Sequence, residues 1–160
     1  MAAGTSRSGA CVPNATMRKF GAPTTCIREY DYWTVLLRPK QATLGALILA
    51  AREDAGSFGA LSEPACAELA HVTAATEAAL RSAFGYDKIN YLMLMMNDPD
   101  VHFHVLPRYA QVAVFDGARF SDPGWPGPPD LTHANATDDA ANARLVAHIG
   151  NHWPERGQPA

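Results

Sequence analysis

One stretch, Asp100-Val101-His102-Phe103-His104-Val105-Leu106-Pro107-Arg108, constrains the fold of this chain more than any other. Polar and apolar residues alternate from Asp100 to Val105, which is the period of a half-buried β-strand. Such a strand turns Val101, Phe103 and Val105 toward a core and sets Asp100, His102 and His104 on the opposite face. Same-face neighbours lie roughly 6.5–7 Å apart. The pattern therefore predicts two imidazoles and a carboxylate aimed at one small volume from a rigid element.

The rest of the chain gives that strand a setting. With 160 residues, 48% hydrophobic and 18% charged, the composition is that of one globular domain large enough to bury a core. A net charge of −3 argues against a nucleic-acid groove binder, which carries a basic excess. No apolar run approaches the ~20 residues of a membrane span, and Met1 to Ala10 has no apolar secretory core. The three cysteines, Cys11, Cys26 and Cys66, are widely spaced and read as reduced thiols. A cytoplasmic protein without nucleic-acid or membrane partners is expected.

Residues 1–16 are small and polar and read as a flexible leader. Residues 17–120 read as the main domain, and residues 121–160 as a Pro/Gly-rich loop and C-terminal helix of the same domain. From Thr25 to Leu37, β-formers predict two strands bent near Asp31. Gly45 to Ala51 is a continuous apolar run, as in a strand buried on both faces. Ser62 predicts a helix N-cap with Glu63 and Pro64 in the first turn, and Gly85 a C-terminal stop. Cys66, Leu69, Val72, Thr73, Thr76 and Leu80 would form its apolar stripe. Lys88 to Met96 reads as a strand turning at Asn97-Asp98-Pro99 into the Asp100–Leu106 strand. Val112 to Phe115 reads as a further short strand, and Asp138 to Ile149 as a last helix resting on Leu145, Val146 and Ile149. Met93, Met95 and Met96 read as packing residues. This order predicts an α+β fold: an antiparallel sheet with a long helix packed on one face.

The segment from Asp100 to Arg108 resembles the signature of the histidine-triad (HIT) family, His-φ-His-φ-His-φ-φ, often followed by Pro-Arg. Tyr86-Asp87-Lys88-Ile89-Asn90, Gly45-Ala46-Leu47-Ile48-Leu49 and the order of elements over roughly residues 20–116 support the resemblance. It implies a HIT-like fold and a nucleotidyl hydrolase or transferase acting on dinucleoside polyphosphates or nucleoside phosphoramidates. It also implies a homodimer whose sheets continue across the interface. The family's nucleophile falls on His102 and its third histidine on His104. Imidazole suits this work because it is unprotonated for much of the time near neutral pH and is nucleophilic. His104 could bond a phosphate oxygen or move a proton to the leaving group.

The first triad position is Asp100, where the resemblance asks only for a main-chain carbonyl to orient the nucleophile. Met95-Met96-Asn97-Asp98-Pro99 replaces a Gly/Gln/Ser-rich loop, which leaves Asn97 as its neutral polar side chain. Lys40 and Gln41 fall where relatives place the nucleoside pocket. Asn90 could serve either a structural hydrogen bond or the site, and Arg108 either an anchor or the substrate. Arg38, Lys40, Lys88 and Arg108 could offset the Asp100 charge. The expected substrate-binding set is Asn97, Asp100, Asn90, Lys40, Gln41 and Arg108. No cofactor is required by this chemistry, although Mg²⁺ on a polyphosphate would help. His-x-His on a strand is also a metal-ligand pattern. Three same-face residues of one strand span roughly 13 Å, however, so no metal is assigned. Two other readings stand beside the enzyme: a nucleotide-binding protein without turnover, and a repurposed enzyme using the histidine pair for acid–base or metal chemistry.

Overall fold

The computed structural model describes residues 12–155. Five strands, β1 (Cys26–Glu29), β2 (Trp33–Leu37), β3 (Leu47–Ala51), β4 (Lys88–Leu92) and β5 (His102–Arg108), form one sheet in the order β1-β2-β3-β5-β4. Every neighbouring pair is antiparallel. Helix α1 (Ala15–Lys19) precedes the sheet, α2 (Glu63–Phe84) follows β3, and α3 (Asp139–Asn151) closes the described chain. The fold is α+β, as the order of elements predicts. No described helix is long and apolar enough to cross a membrane.

The sheet is covered on both faces, and that is why β2 and β3 are buried at every position. Helices α2 and α3 cover one face. Val72, Leu80, Leu145 and Ile149 pack there with Val35, Leu49, Val101 and Val105. The Trp33 indole donates to the Ala65 carbonyl across 2.8 Å and ties β2 to the first turn of α2. The Ser62 hydroxyl accepts from the Ala65 N–H at 3.3 Å, and Gly85 ends α2 in the left-handed conformation. Gly45 has φ +78°, and a Cβ there would lie 2.8 Å from the Phe84 ring. Glycine thus lets the end of α2 close onto the turn before β3.

The opposite face is covered by α1, where Met17 packs on Leu36, Ile48 and Ala50. This departs from the flexible leader expected over residues 1–16. Residues 1–11 lie outside the described residues, but Asn14 caps α1 and its side-chain amide donates to the Ala51 carbonyl at 2.9 Å. A five-residue helix is too short to persist alone. Its place is fixed by these contacts and by the burial of Met17, about 1.5–3 kcal/mol for such a side chain.

Other boundaries also shift. Cys66 is exposed, and Ala65 takes its place on the buried stripe of α2. β4 ends at Leu92, so Met93–Met96 belong to the turn, where Met95 has φ 50°. Met93 and Met95 pack on the core, but Met96 is 82% exposed and is not a packing residue. β5 begins at His102 and continues through Pro107 to Arg108. A small hairpin of β6 (Ala113–Phe115) and β7 (Ala118–Phe120) was only half expected. Its turn is Asp116-Gly117, both at positive φ, the residue pair that a two-residue hairpin turn favours.

Candidate active site

β5 holds His102 and His104 on the α1 side of the sheet, opposite Ala50 and Ile48 of β3. Their ring centroids lie 5.3 Å apart. The Phe20 ring, at the end of α1, stands 6.0 Å from the first and edge-on, 5.8 Å, to the second. The short leading helix therefore completes the apolar wall behind the histidines.

The two rings have different environments. His102 is 2% exposed, and its Nδ1 lies 2.8 Å from the main-chain oxygen of Asp100. A carbonyl can only accept, so Nδ1 carries a proton, and in the neutral ring the lone pair is on Nε2. That Nε2 lies 3.8 Å from Asp98 Oδ2. His104 has a buried Nδ1 without a hydrogen-bond partner. Burial, then the neighbouring His102, Arg38 and Lys19, push its pKa down to about 4 against the weaker opposing pull of Asp98. His104 is thus a neutral imidazole at pH 7, able to donate one hydrogen bond but not to act as a resident cation.

In front of His104 opens a cleft of about 460 Å³, lined by Lys19, Phe20, Arg38, Pro39, Lys40, Asn97 and Asp98. His102 does not line the cleft; its Nε2 lies 3.8 Å from Asp98, which does. Three cationic side chains face one carboxylate, a balance that favours an anionic ligand. Lys19 Nζ pairs with Asp98 Oδ1 at 2.5 Å. The Arg38 guanidinium donates to the carbonyls of Lys40 and, at 3.3 Å, Leu131, while its Nε is buried without a partner. Among the described residues, no group of three or more His, Cys, Asp or Glu is arranged to hold a metal ion.

Of the expected site residues, His104, Asn97 and Lys40 meet at this cleft, with His102 behind it. Asp100 corrects the expectation in part. Its carbonyl orients His102, but its carboxylate turns away and accepts from the Thr16 N–H in the first turn of α1 at 3.1 Å. The Thr16 hydroxyl accepts from the Asp100 N–H in return, at 3.2 Å. The charge is thereby used to anchor α1 rather than to meet a substrate. Gln41 is also corrected. It is fully buried, its amide donates to the carbonyls of Arg38 and Ala46, and its oxygen accepts from the Gly45 N–H. Every polar atom of that side chain braces the 41–46 turn.

Asn90 and Arg108 lie further along the same face and do not reach the histidine cleft. Arg108 makes a two-pronged bond to Asp122, 2.7 and 3.0 Å, and a third to Asn90 at 2.8 Å. The triad pins the 121–130 loop to β4 and β5, beside a second groove of about 810 Å³ that also includes Trp125 and Pro129. Lys88 lines that groove too, so neither it nor Arg108 offsets Asp100. The residues that sequence reasoning missed are Lys19, Phe20 and Asp98. The available signal was Asn14, a good N-cap, followed by Met17 and then Lys19-Phe20.

No sequence-family profile matches the chain, and no curated protein sequence does. Solved structures do. A histidine triad (HIT) protein from Sinorhizobium meliloti 1021 superposes with a TM-score of 0.70 at 22% identity, over 90% of this chain and 98% of that one. A histidine triad protein from Bradyrhizobium japonicum gives a TM-score of 0.67 at 19% identity, over 91% and 99% of the two chains. A hypothetical histidine triad nucleotide-binding protein from Sulfolobus tokodaii strain 7 gives 0.62 at 15% identity, over 80% and 82%. The first two likenesses span nine-tenths or more of both chains, and all three agree on the fold. The chain has the histidine-triad fold.

Proposed function

We propose that this protein is a nucleotidyl hydrolase or transferase acting on a dinucleoside polyphosphate or a nucleoside phosphoramidate, with His102 as the nucleophile. The observation that carries the reading is the hydrogen bond from His102 Nδ1 to the Asp100 carbonyl, which in the neutral ring leaves the lone pair on Nε2, 3.8 Å from the Asp98 carboxylate at the edge of a cationic cleft. In the first step Nε2 forms a bond to the α-phosphorus, and the bond to the leaving oxygen or nitrogen breaks. The leaving atom keeps that electron pair and takes a proton from solvent. In the second step a water oxygen bonds to phosphorus, the Nε2–P bond breaks, and water's proton returns to solvent. One hard displacement becomes two easier ones.

The remaining roles follow from the cleft. His104, neutral and desolvated, donates a hydrogen bond to a non-bridging oxygen, where a preorganised donor is worth more than in water. Lys40, Arg38 and Lys19 supply positive charge for the phosphates, and Asn97 a neutral polar contact. Mg²⁺ bound to a polyphosphate would reduce its charge further, and the chain's own chemistry requires no cofactor. A homodimer accompanies this reading. β4 is the last strand of the sheet, so its outer edge suits pairing with a second copy.

Incubation with diadenosine tetraphosphate and with an adenosine phosphoramidate, with and without Mg²⁺, tests the activity. AMP release from either, abolished in His102→Ala, is the expected result. AMP binding without release from either would favour a nucleotide-binding protein instead.

A further inference from the structure

The charge of the cleft is divided between two ends, and only one end is balanced. Beside His102, the Lys19 ammonium is paired with the Asp98 carboxylate, so that end is close to neutral. The other two cations, Arg38 and Lys40, are paired with no carboxylate among the described residues. The Arg38 guanidinium is held by the carbonyls of Lys40 and Leu131, its Nε has no partner, and Lys40 is exposed. The strand register sets the two ends apart. His102 lies opposite Ala50, and Ala50 opposite Thr34. Arg38 comes four residues after Thr34. Its main chain is therefore about 13 Å along the strands from that of His102, and two strand spacings, about 10 Å, across. The uncompensated positive charge thus sits away from the phosphorus that His102 attacks, with His104 between.

In-line attack decides which part of a substrate meets that charge. Side chains stand roughly perpendicular to a sheet, so His102 approaches phosphorus from the sheet and the leaving group departs away from it. The nucleoside is joined to phosphorus by a bond roughly at right angles to that line, and so runs along the sheet face. The cleft gives it a course past His104 and Phe20 to Arg38 and Lys40. A plain nucleoside brings no charge to those two cations. Resting on the nucleotidyl-transfer reading above, we propose that Arg38 and Lys40 form a second anion site, which selects nucleotidyl groups carrying a further phosphate on the 2′ or 3′ oxygen of the ribose. The site takes no part in breaking the bond to phosphorus. It holds the nucleoside end by charge, while His102 meets the 5′-phosphate.

Isothermal titration calorimetry on the full chain, without Mg²⁺, tests the site with AMP, the 2′,5′- and 3′,5′-bisphosphates of adenosine, and ATP, whose added charge lies on the phosphate chain. One of the bisphosphates is expected to bind roughly tenfold tighter than AMP, as two partly exposed cations near one phosphate would give, and tighter than ATP. The isomer that does so identifies the ribose oxygen. Lys40→Gln and Arg38→Gln should each cut the bisphosphate-to-AMP ratio by roughly threefold or more. Arg38→Gln also removes donors to two carbonyls, so Lys40→Gln, at an exposed position, decides if that variant does not fold. ATP binding as tightly as the better bisphosphate would show that the cations read the phosphate chain, and would overturn the proposal. A ratio below about twofold in the parent, or one that survives intact in Lys40→Gln, overturns it as well. AMP release from an adenosine phosphoramidate, measured on the same preparation, keeps the two failures apart. Turnover without a bisphosphate preference leaves nucleotidyl transfer standing, and the absence of both turnover and nucleotide binding overturns both.

Discussion

The Nδ1 of His102 donates to the main-chain oxygen of Asp100 across 2.8 Å, while the side chain of Asp100 points elsewhere, onto the Thr16 N–H. One residue thus does two separate jobs with two separate groups. Any residue supplies the carbonyl, but the carboxylate is specific to the docking of α1. This division explains how an aspartate can stand at the first position of the motif without bringing its charge to the cleft.

Asp100→Ala should therefore leave AMP release within a few-fold of the parent and weaken the fold. Loss of a capping acceptor for α1 is worth about 1 kcal/mol, within a range of roughly 0.5–2. Urea denaturation and the AMP assay, run on the same preparation, separate the two effects. A loss of turnover as deep as that of His102→Ala would mean that the carboxylate itself takes part in the chemistry.

Arg108 and Asp122 form an ion pair whose side chains are 4% and 1% exposed. Removing one partner strands a buried charge, so Arg108→Met and Asp122→Leu, made singly, should each destabilise by about 3–5 kcal/mol. The double variant Arg108→Met with Asp122→Leu removes both charges and should lose much less than the sum of the two single changes. Denaturant midpoints of the four proteins measure the coupling directly. Additive losses would show that the pair does not act as a unit.

His104 gives the fold a pH dependence with a definite sign. Burial lowers its pKa in the folded protein to about 4 from the ordinary 6.5. Between those values the unfolded chain binds more protons than the native one, so stability rises with pH across this window. The contribution is complete above about 6.5 and fades as pH falls toward 4. Chemical denaturation at steps from pH 7 to pH 4 should show a decline that is shallower in His104→Gln. Equal slopes in the two proteins would remove His104 as the cause.

The strand that carries the histidines was legible because its period is imposed by the residues themselves. A register slip would have put Val101 and Val105 in the cleft. Helix α2 was legible from Ser62 and Gly85, since caps act locally. Helix α1 was not, because five residues show no periodicity and its position depends on Asn14, Met17 and Asp100 finding partners far along the chain. Lys19, Phe20 and Asp98 were missed for the same reason, as two of them ride on α1 and the third pairs with it. The family resemblance places Gln41 at the nucleoside pocket of relatives, whereas the side chain is fully buried. Nothing in the sequence around it reveals that its amide closes a turn by three hydrogen bonds. Arg108 and Asp122, separated by fourteen positions, meet only because the Pro/Gly-rich loop folds back over the sheet.

The most direct test of the account is to trap the covalent intermediate. Rapid acid-free quenching of the protein with an adenosine phosphoramidate, followed by intact-mass and peptide mass spectrometry, should find one adenylyl group per chain, bound to His102 and absent from His102→Ala. An adduct on His104, or steady AMP release with no adduct on any histidine at any quench time, would contradict His102 as the nucleophile.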